Sequence, residues 1–284
     1  MIVRAHAKLN LSLDVLGKTP NGYHDLRMVM QSVEFGDDLD IELTEDGQFT
    51  IDPGQSYLPT DGRNLAVKAA RLFLEGTGLG ASIRVTKRIP VCAGMGGGSS
   101  DAAAVLRALN ALTVAGKTAQ ELCAMGAQVG SDVPFCVLDG AALAEGRGEK
   151  LTPLPCLPDC SIVICKPAFA ISTPELFVKV DGRKSRLRPD TAGMIAAMEA
   201  GDVSGVARRM YNVFEDVLDR RQGEIFSIKS ALTDMGATGA AMTGSGSAVF
   251  GLFEDDAAAR RAYDSLSVRY KECYLTRPSP AAEI

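Results

Sequence analysis

The sequence predicts a two-lobed α+β protein, and three features carry that prediction. The chain opens on a long alternating stretch. A strand then delivers it into a glycine-rich loop that runs straight into an alanine-rich helical segment. Further on, a proline-spaced stretch from Pro153 to Pro158 separates one set of strands and helices from another. With 284 residues, 46% hydrophobic and 23% charged, the chain can bury one large core or two modest ones sharing an interface. The expected division is residues 1–155 and 156–284.

In residues 2 to 15, Leu9, Leu11, Leu13 and Val15 fall on one face of a strand, and Lys8, Asn10, Ser12 and Asp14 on the other. The polar face either meets solvent or lines a cleft. Thr19-Pro20-Asn21-Gly22 reads as a turn, followed by Tyr23-His24, a strand from Met28 to Phe35 and a third from Asp40 to Leu43. Thr50 to Gly62 is loop-rich. Asn64 to Glu75 reads as a helix with Leu65, Ala69, Leu72 and Phe73 on one face. Ser82 to Arg88 is a strand, and helices follow from about Asp101 to Leu112 and Thr118 to Val129, the latter ended by Gly130 in a positive-φ conformation. Ala141 to Leu151 reads as a hairpin around Gly146-Arg147-Gly148. After the proline stretch come a buried strand, Ser161 to Cys165, and a helix opened by Ser172-Thr173-Pro174-Glu175. Helices near 191–199, 203–209 and 222–235 precede paired strands at 238–242 and 248–253. A helix at 255–267 and a strand at 272–276 close the chain.

Composition narrows the function. The net charge of −5 and a pI of about 5.2 argue against nucleic acid held by bulk electrostatics. Seven cysteines without a C-x-x-C pair, and only two histidines, leave no zinc spacing and fit reduced thiols. Met1 leads directly into strand-like sequence without a signal-peptide series. The uncharged run from Met235 to Phe253 holds Gly236, Gly239, Gly244 and Gly246 plus several hydroxyls, so it is not expected to span a bilayer. A cytoplasmic protein with no membrane or nucleic-acid partner is expected.

The chemistry centres on Pro90-Val91-Cys92-Ala93-Gly94-Met95-Gly96-Gly97-Gly98-Ser99-Ser100-Asp101. Glycines let the backbone approach a ligand closely, and a helix start offers unpaired N–H groups to an anion. This predicts a phosphate cradle; an unliganded glycine turn is the alternative. Walker A fails because no lysine follows the glycines, and the dinucleotide fingerprint fails because Ser99 stands where its last glycine belongs. Protein-kinase signatures are absent.

Three separated motifs resemble those of the GHMP kinases, which include galactokinase, homoserine kinase and mevalonate kinase. They are Ala7-Lys8-Leu9-Asn10-Leu11, the loop Pro90 to Ser100, and Met242-Thr243-Gly244-Ser245-Gly246. Their order and spacing span almost the whole chain. Asn21-Gly22-Tyr23-His24, Gly130-Ser131-Asp132-Val133-Pro134 and Ala144-Glu145-Gly146-Arg147-Gly148-Glu149 narrow the resemblance to members that phosphorylate a cytidine-diphosphate-linked sugar alcohol. Met95 stands where leucine is usual, a volume-conserving departure.

The resemblance implies a ribosomal-protein-like N-terminal lobe and a ferredoxin-like C-terminal lobe, with the active site in the cleft between them. It implies transfer of the γ-phosphoryl group of ATP, with Mg2+, to the 2-hydroxyl of a cytidine-diphosphate-linked methylerythritol. Pro90 to Ser100 would bind ATP, with Ser99 and Ser100 either capping the helix or helping to hold Mg2+; no metal ligand is assigned. Asp132 would act as base with Lys8 beside it, which turns the polar face of the first strand into the cleft. Without the resemblance, Asp132 reads as a helix N-cap ahead of Pro134. Asn10 would bind the acceptor end, Tyr23 and Phe177 would flank the cytosine, His24 would hydrogen-bond it, and Lys87 would support Tyr23 or the substrate's charged part. The plainer readings are an inward-packing Phe177, a turn histidine and a hairpin at Gly244 to Ser247. Rival functions are a homoserine- or mevalonate-type kinase, or a non-catalytic sensor on the same fold. A monomer or weak homodimer is expected.

Overall fold

The computed structural model describes residues 1–20, 22–183 and 187–282, apart from the side chain of Arg221. Asn21, expected in the first turn, lies outside the described residues. In chain order the first elements are β1 (Ile2–Lys18), β2 (His24–Thr44), β3 (Phe49–Asp52), α1 (Leu65–Phe73), β4 (Gly80–Thr86), α2 (Gly97–Leu112), α3 (Ala119–Val129), α4 (Val133–Leu138), β5 (Ala141–Gly146) and β6 (Lys150–Leu154). After the proline stretch come β7 (Ser161–Lys166), α5 (Thr173–Asp181), α6 (Thr191–Glu199), α7 (Val203–Ala207), β8 (Tyr211–Asn212), α8 (Gly223–Asp234), β9 (Gly239–Met242), β10 (Val249–Phe253), α9 (Asp256–Arg269) and β11 (Glu272–Thr276).

Two sheets carry this α+β fold. The first runs β3-β4-β2-β1-β8, with β5 paired to β2 and β6 to β5. The second, β11-β7-β10-β9, is antiparallel throughout. The run from Met235 to Phe253 resolves into the turn that follows α8, then β9 and β10, and no helix among the described residues is long and apolar enough to cross a membrane. The chain crosses between the sheets more than once. β8, far along the sequence, pairs in parallel with Ser12 and Leu13 of β1, and the tail bridges back through Pro278 to Val33 and Ala281 to Asp139.

The first strand departs from simple alternation. Its register against β2 shifts between Asn10 and Ser12, leaving Leu11 as an extra residue. A bulge moves every following side chain to the opposite face. Leu9 and Leu11 therefore join one core cluster, whereas Leu13 and Val15 join the other, instead of all four sharing a face. Beyond the bulge Leu13 lies on the side of Lys8 and Asn10, and lines the same cavity as both. The polar residues are not a solvated face: Lys8, Asn10, Ser12 and Asp14 are all buried.

Two expected strands merge into β2, which runs unbroken through Gly36-Asp37-Asp38. Asp37 is tolerated there because its carboxylate accepts from the backbone N–H groups of Arg88 and Ile89 and from Lys87 Nζ. Helix starts follow local chemistry: Asn64 accepts from Ala66 N at α1, and Thr118 and Glu121 form a reciprocal capping box at α3. Gly130 is not the left-handed terminator expected; its φ of −172° is extended backbone. The loop-rich expectation for residues 50–62 gives way at its start, where β3 pairs in parallel with β4.

Candidate active site

The glycine loop enters its helix four residues earlier than the sequence suggests. α2 begins at Gly97, with Gly96 as a left-handed N-cap at φ 73°. Gly97, Gly98 and Ser99 thus form its first turn, and their N–H groups have no intrahelical acceptor. The helix dipole adds to their pull on an anion. Ser100 N already bonds Gly96 O, and Ser100 Oγ is spent on Gly96 O at 3.1 Å and Cys136 at 3.4 Å. Ser100 Oγ is thus back-bonded within the helix, whereas Ser99 Oγ has no protein partner among the described residues. Every residue from Pro90 to Ser99 lines a cavity of about 360 Å3, which Ser100 does not reach.

Backbone contact locks this loop to the third glycine motif. Gly94 has φ 76°, and a Cβ there would lie 2.1 Å from the carbonyl oxygen of Thr243. Thr243 Oγ1 donates to Gly94 O at 3.2 Å and accepts from Asn10 N at 3.0 Å, so one hydroxyl ties loop, motif and first strand together. The motif is more than a hairpin turn. Asn212 of β8 donates from Nδ2 to Met242 O at 2.7 Å and Gly244 O at 2.8 Å. No periodicity or motif in the sequence marks Asn212, because β8 is two residues long and exists only through its pairing with β1.

Lys8 is threaded past the loop. Its N–H donates to Met95 O at 3.1 Å, and its side chain passes Gly96, where a Cβ would sit 3.0 Å from Lys8 Cγ. Lys8 Nζ donates to Asn10 Oδ1 at 2.6 Å and lies 3.4 Å from Asp132 Oδ2. Asp132 stands at the start of α4 but makes no side-chain capping bond. The N-cap reading therefore fails for its carboxylate. Lys8, Asn10 and Asp132 share a second cavity of about 260 Å3 with Gly94 and Gly96, which also line the first.

The expected aromatic residues gather around a third cavity of about 440 Å3, lined by Tyr23, His24, Phe177, Arg147 and Asp181 among others. His24 stacks on Phe177 with ring centroids 4.2 Å apart at 14°, and Phe177 meets Phe214 edge-on at 5.1 Å. His24 Nε2 lies 2.9 Å from Asp181 Oδ1. Phe177 thus packs inward and lines the second and third cavities at once. Arg147 lies over the half-exposed Tyr23, its guanidinium carbon 3.9 Å from the ring centroid. Asp181 and Arg147 carry this geometry, and their sequence surroundings assign neither a role. Asp181 ends a helix, where an acid looks like a solvated terminus, and Arg147 sits in a hairpin turn.

Of the two roles that the resemblance implies for Lys87, support of Tyr23 does not match its position. Rather than supporting Tyr23, it is buried beside the glycine loop, donating to Asp37 Oδ2 at 2.6 Å and Asp101 Oδ2 at 2.7 Å. It lines the first cavity and not the third. Burial opposes its charge, but the two carboxylates outweigh burial and hold the ammonium above its ordinary value. Burial pushes Asp101 up to about 7, against the pull of Lys87 and reinforced by Asp37. The first cavity also extends to Leu58, Arg63, Asn64 and Leu65, a part of the site that glycine spacing does not reveal.

A larger hollow of about 720 Å3 lies between the start of β1, α2 and the tail. It contains His6, Asp139 and Ser279, which suggests a nucleophile triad. Asp139 Oδ2 at 3.0 Å and Ser279 Oγ at 3.4 Å both face the same ring nitrogen, Nδ1, so His6 cannot relay a proton between them.

Family models agree with this architecture: the GHMP kinases N terminal domain matches residues 64–140, and the GHMP kinases C terminal model matches residues 194–272. A protein of Clostridium botulinum named 4-diphosphocytidyl-2-C-methyl-D-erythritol kinase is 42% identical over 98% of this chain and 99% of its own length. One of the same name from Alkaliphilus metalliredigens is 41% identical over 97% of this chain and 95% of its own length. A crystal structure of 4-(cytidine 5'-diphospho)-2C-methyl-D-erythritol kinase superposes with a TM-score of 0.83 at 34% identity, covering 98% of this chain and 99% of the other. The homoserine kinase of Cytophaga hutchinsonii shares the fold, with a TM-score of 0.76 at 20% identity over 99% of this chain and 95% of its own. Likeness of this extent over nearly the whole chain makes the protein a small-molecule kinase that belongs to the 4-diphosphocytidyl-2-C-methyl-D-erythritol kinase family of the GHMP kinases.

Proposed function

We propose that the protein transfers the γ-phosphoryl group of ATP to the 2-hydroxyl of 4-diphosphocytidyl-2-C-methyl-D-erythritol, giving the 2-phosphate and ADP, in the non-mevalonate route to isoprenoids. The observation that carries this reading is the continuity of three cavities. The first shares Gly94 and Gly96 with the second, and the second shares Ser131, Thr173 and Phe177 with the third. A donor's phosphates in the first and a nucleobase in the third leave the reacting hydroxyl at Lys8 and Asp132.

In the loop, the free N–H groups of Gly97, Gly98 and Ser99 bind phosphate oxygens. Asp132 accepts the hydroxyl proton, which in a loose phosphoryl-transfer transition state moves late, so a strong base is not needed. The Lys8 ammonium, held by Asn10, faces the negative charge that gathers between donor and acceptor. Mg2+ bound with ATP would neutralise phosphate charge, and the Ser99 hydroxyl, unpartnered among the described residues, is a hard oxygen donor that would help to hold it. Among the described residues no group of three acidic, histidine or cysteine side chains is poised for a metal, so phosphate and water oxygens would complete the ion's shell.

On the acceptor side Tyr23 and Phe177 offer ring faces to the base. The carboxylate of Asp181 must accept from His24 Nε2–H, which in the neutral ring leaves Nδ1 as an acceptor. An acceptor complements the exocyclic amine of cytosine and not the carbonyl of uracil. Residues 1–155 form the ATP-binding lobe in this reading and 156–284 the lobe that completes the cleft. A cytoplasmic setting fits the seven free cysteines.

The test is ADP release with ATP, Mg2+ and the cytidine-linked alcohol, with homoserine and mevalonate as alternative acceptors. Turnover of the cytidine substrate alone is expected. No ADP with it, or equal turnover of the other alcohols, overturns the reading.

A further inference from the structure

The proposed substrate carries a diphosphate between its nucleobase and the hydroxyl that reacts. With the base among Tyr23, His24 and Phe177 and the hydroxyl at Asp132, that diphosphate has to cross the lip where the second and third cavities meet. Five described residues line both: Leu26, Ser131, Arg147, Thr173 and Phe177. Only Arg147 is charged, and it is a cation.

We infer that Arg147 is the ligand of the substrate's diphosphate, a specificity-determining residue that distinguishes a nucleoside-diphosphate-linked alcohol from a bare nucleoside. The inference rests on the acceptor reading above. Arg147 is exposed, and among the described residues its guanidinium has no carboxylate partner. The neighbouring Arg27, by contrast, is paired to Glu145 at 3.0 Å. The contact Arg147 makes instead is with the Tyr23 ring, its guanidinium carbon 3.9 Å from the centroid. A π face holds a guanidinium in place without neutralising it, so the five N–H donors stay available to an anion. An aspartate or glutamate in the same position would consume them.

The turn supplies the aim. Arg147 N donates to Glu149 Oε2 at 2.7 Å, and Gly146 and Gly148 both take positive φ. The hairpin is thus closed by the Arg147 backbone N–H on the Glu149 carboxylate, and among the described residues the Arg147 side chain takes part in no hydrogen bond. Guanidinium matches phosphate oxygens in a bidentate fork, which lysine cannot reproduce.

The test is calorimetric titration of cytidine and CDP into the wild type, Arg147→Met and Arg147→Lys. Charge-assisted bonds of this kind predict that Arg147→Met weakens CDP binding about 10- to 100-fold and leaves cytidine within about threefold. Arg147→Lys should fall between. Because the side chain lies outside the hydrogen-bonded fold, all three proteins should melt within a few degrees of each other. Equal losses for CDP and cytidine would mean that Arg147 acts only through the Tyr23 ring, and an unchanged CDP affinity would mean that it meets no phosphate; either overturns the inference. If the wild type binds neither ligand, the acceptor reading itself has failed and takes this inference with it.

Discussion

Asp132 opens α4 without capping it, and its carboxylate instead lies 3.4 Å from the ammonium of Lys8. A helix-start acid is thereby diverted from its local role by a lysine that enters from β1. The diversion works because Gly96 leaves room for the lysine stem and Asn10 holds its head.

Asp132→Asn keeps the shape and removes the charge. It should lower kcat by about 10²- to 10⁴-fold, the range of general-base contributions, while ATP binding stays within about twofold. Steady-state kinetics beside an ATP titration checks this, and near-normal turnover would remove Asp132 from the base role.

Two glycines of one loop should respond differently to alanine. Gly94→Ala meets the Thr243 carbonyl at 2.1 Å in a left-handed conformation. It should cost at least ~2 kcal/mol in urea unfolding and loosen the second glycine motif from the third. At Gly98 a Cβ meets only Leu65 Cδ1, at an ordinary 3.6 Å, within a helical turn. Gly98→Ala should keep or slightly raise stability while weakening ATP binding, since the methyl group blocks close approach to the backbone.

Asp101 predicts a pH dependence of stability. Its folded value is raised to about 7 from an ordinary 3.8, chiefly by burial. Between those values the folded state holds a proton that the unfolded chain has released, so stability is greatest below pH 4 as far as this group is concerned and declines toward pH 7. The slope is at most about 1.4 kcal/mol per pH unit. Asp101→Asn should remove that decline, read as the difference between wild-type and variant unfolding curves from pH 4 to pH 8. Parallel curves would show that Asp101 is ionised throughout.

Phe177→Ala removes the ring on which His24 stacks. An aromatic contact of about 0.5–1.5 kcal/mol corresponds to a KM for the cytidine substrate raised about two- to tenfold, with KM for ATP unchanged. A rise in both would place Phe177 in general packing.

Much of the fold was legible from residues adjacent in the chain. The helix at 191–199 and the strand at 272–276 match their expected bounds, because periodicity and capping are local properties. The boundary of α2 was missed because glycines are poor helix formers. Packing asks for glycine at Gly97 all the same, since a Cβ there would lie 3.1 Å from Ile89 Cγ2 and from Lys87 Nζ. Support of Tyr23 by Lys87 failed for a related reason: nothing near Lys87 in sequence says that Asp37, across the sheet, and Asp101, on the next helix, will converge on its ammonium.

By itself the sequence determined the chemical inventory: a loop able to cradle phosphate, a lysine, an acid, and aromatic side chains near the right turns. These depend on residue type and short spacing. Tertiary structure alone decided which way each points. The bulge at Leu11 brings Leu13 to the side of Lys8 and Asn10, and Asn212 binds the third motif through a strand only two residues long. Asp181 takes one nitrogen of His24, and Arg147 comes to rest on Tyr23. Register shifts and choices of ion pair are settled by packing between distant segments, and their energies are not written in any local stretch of sequence.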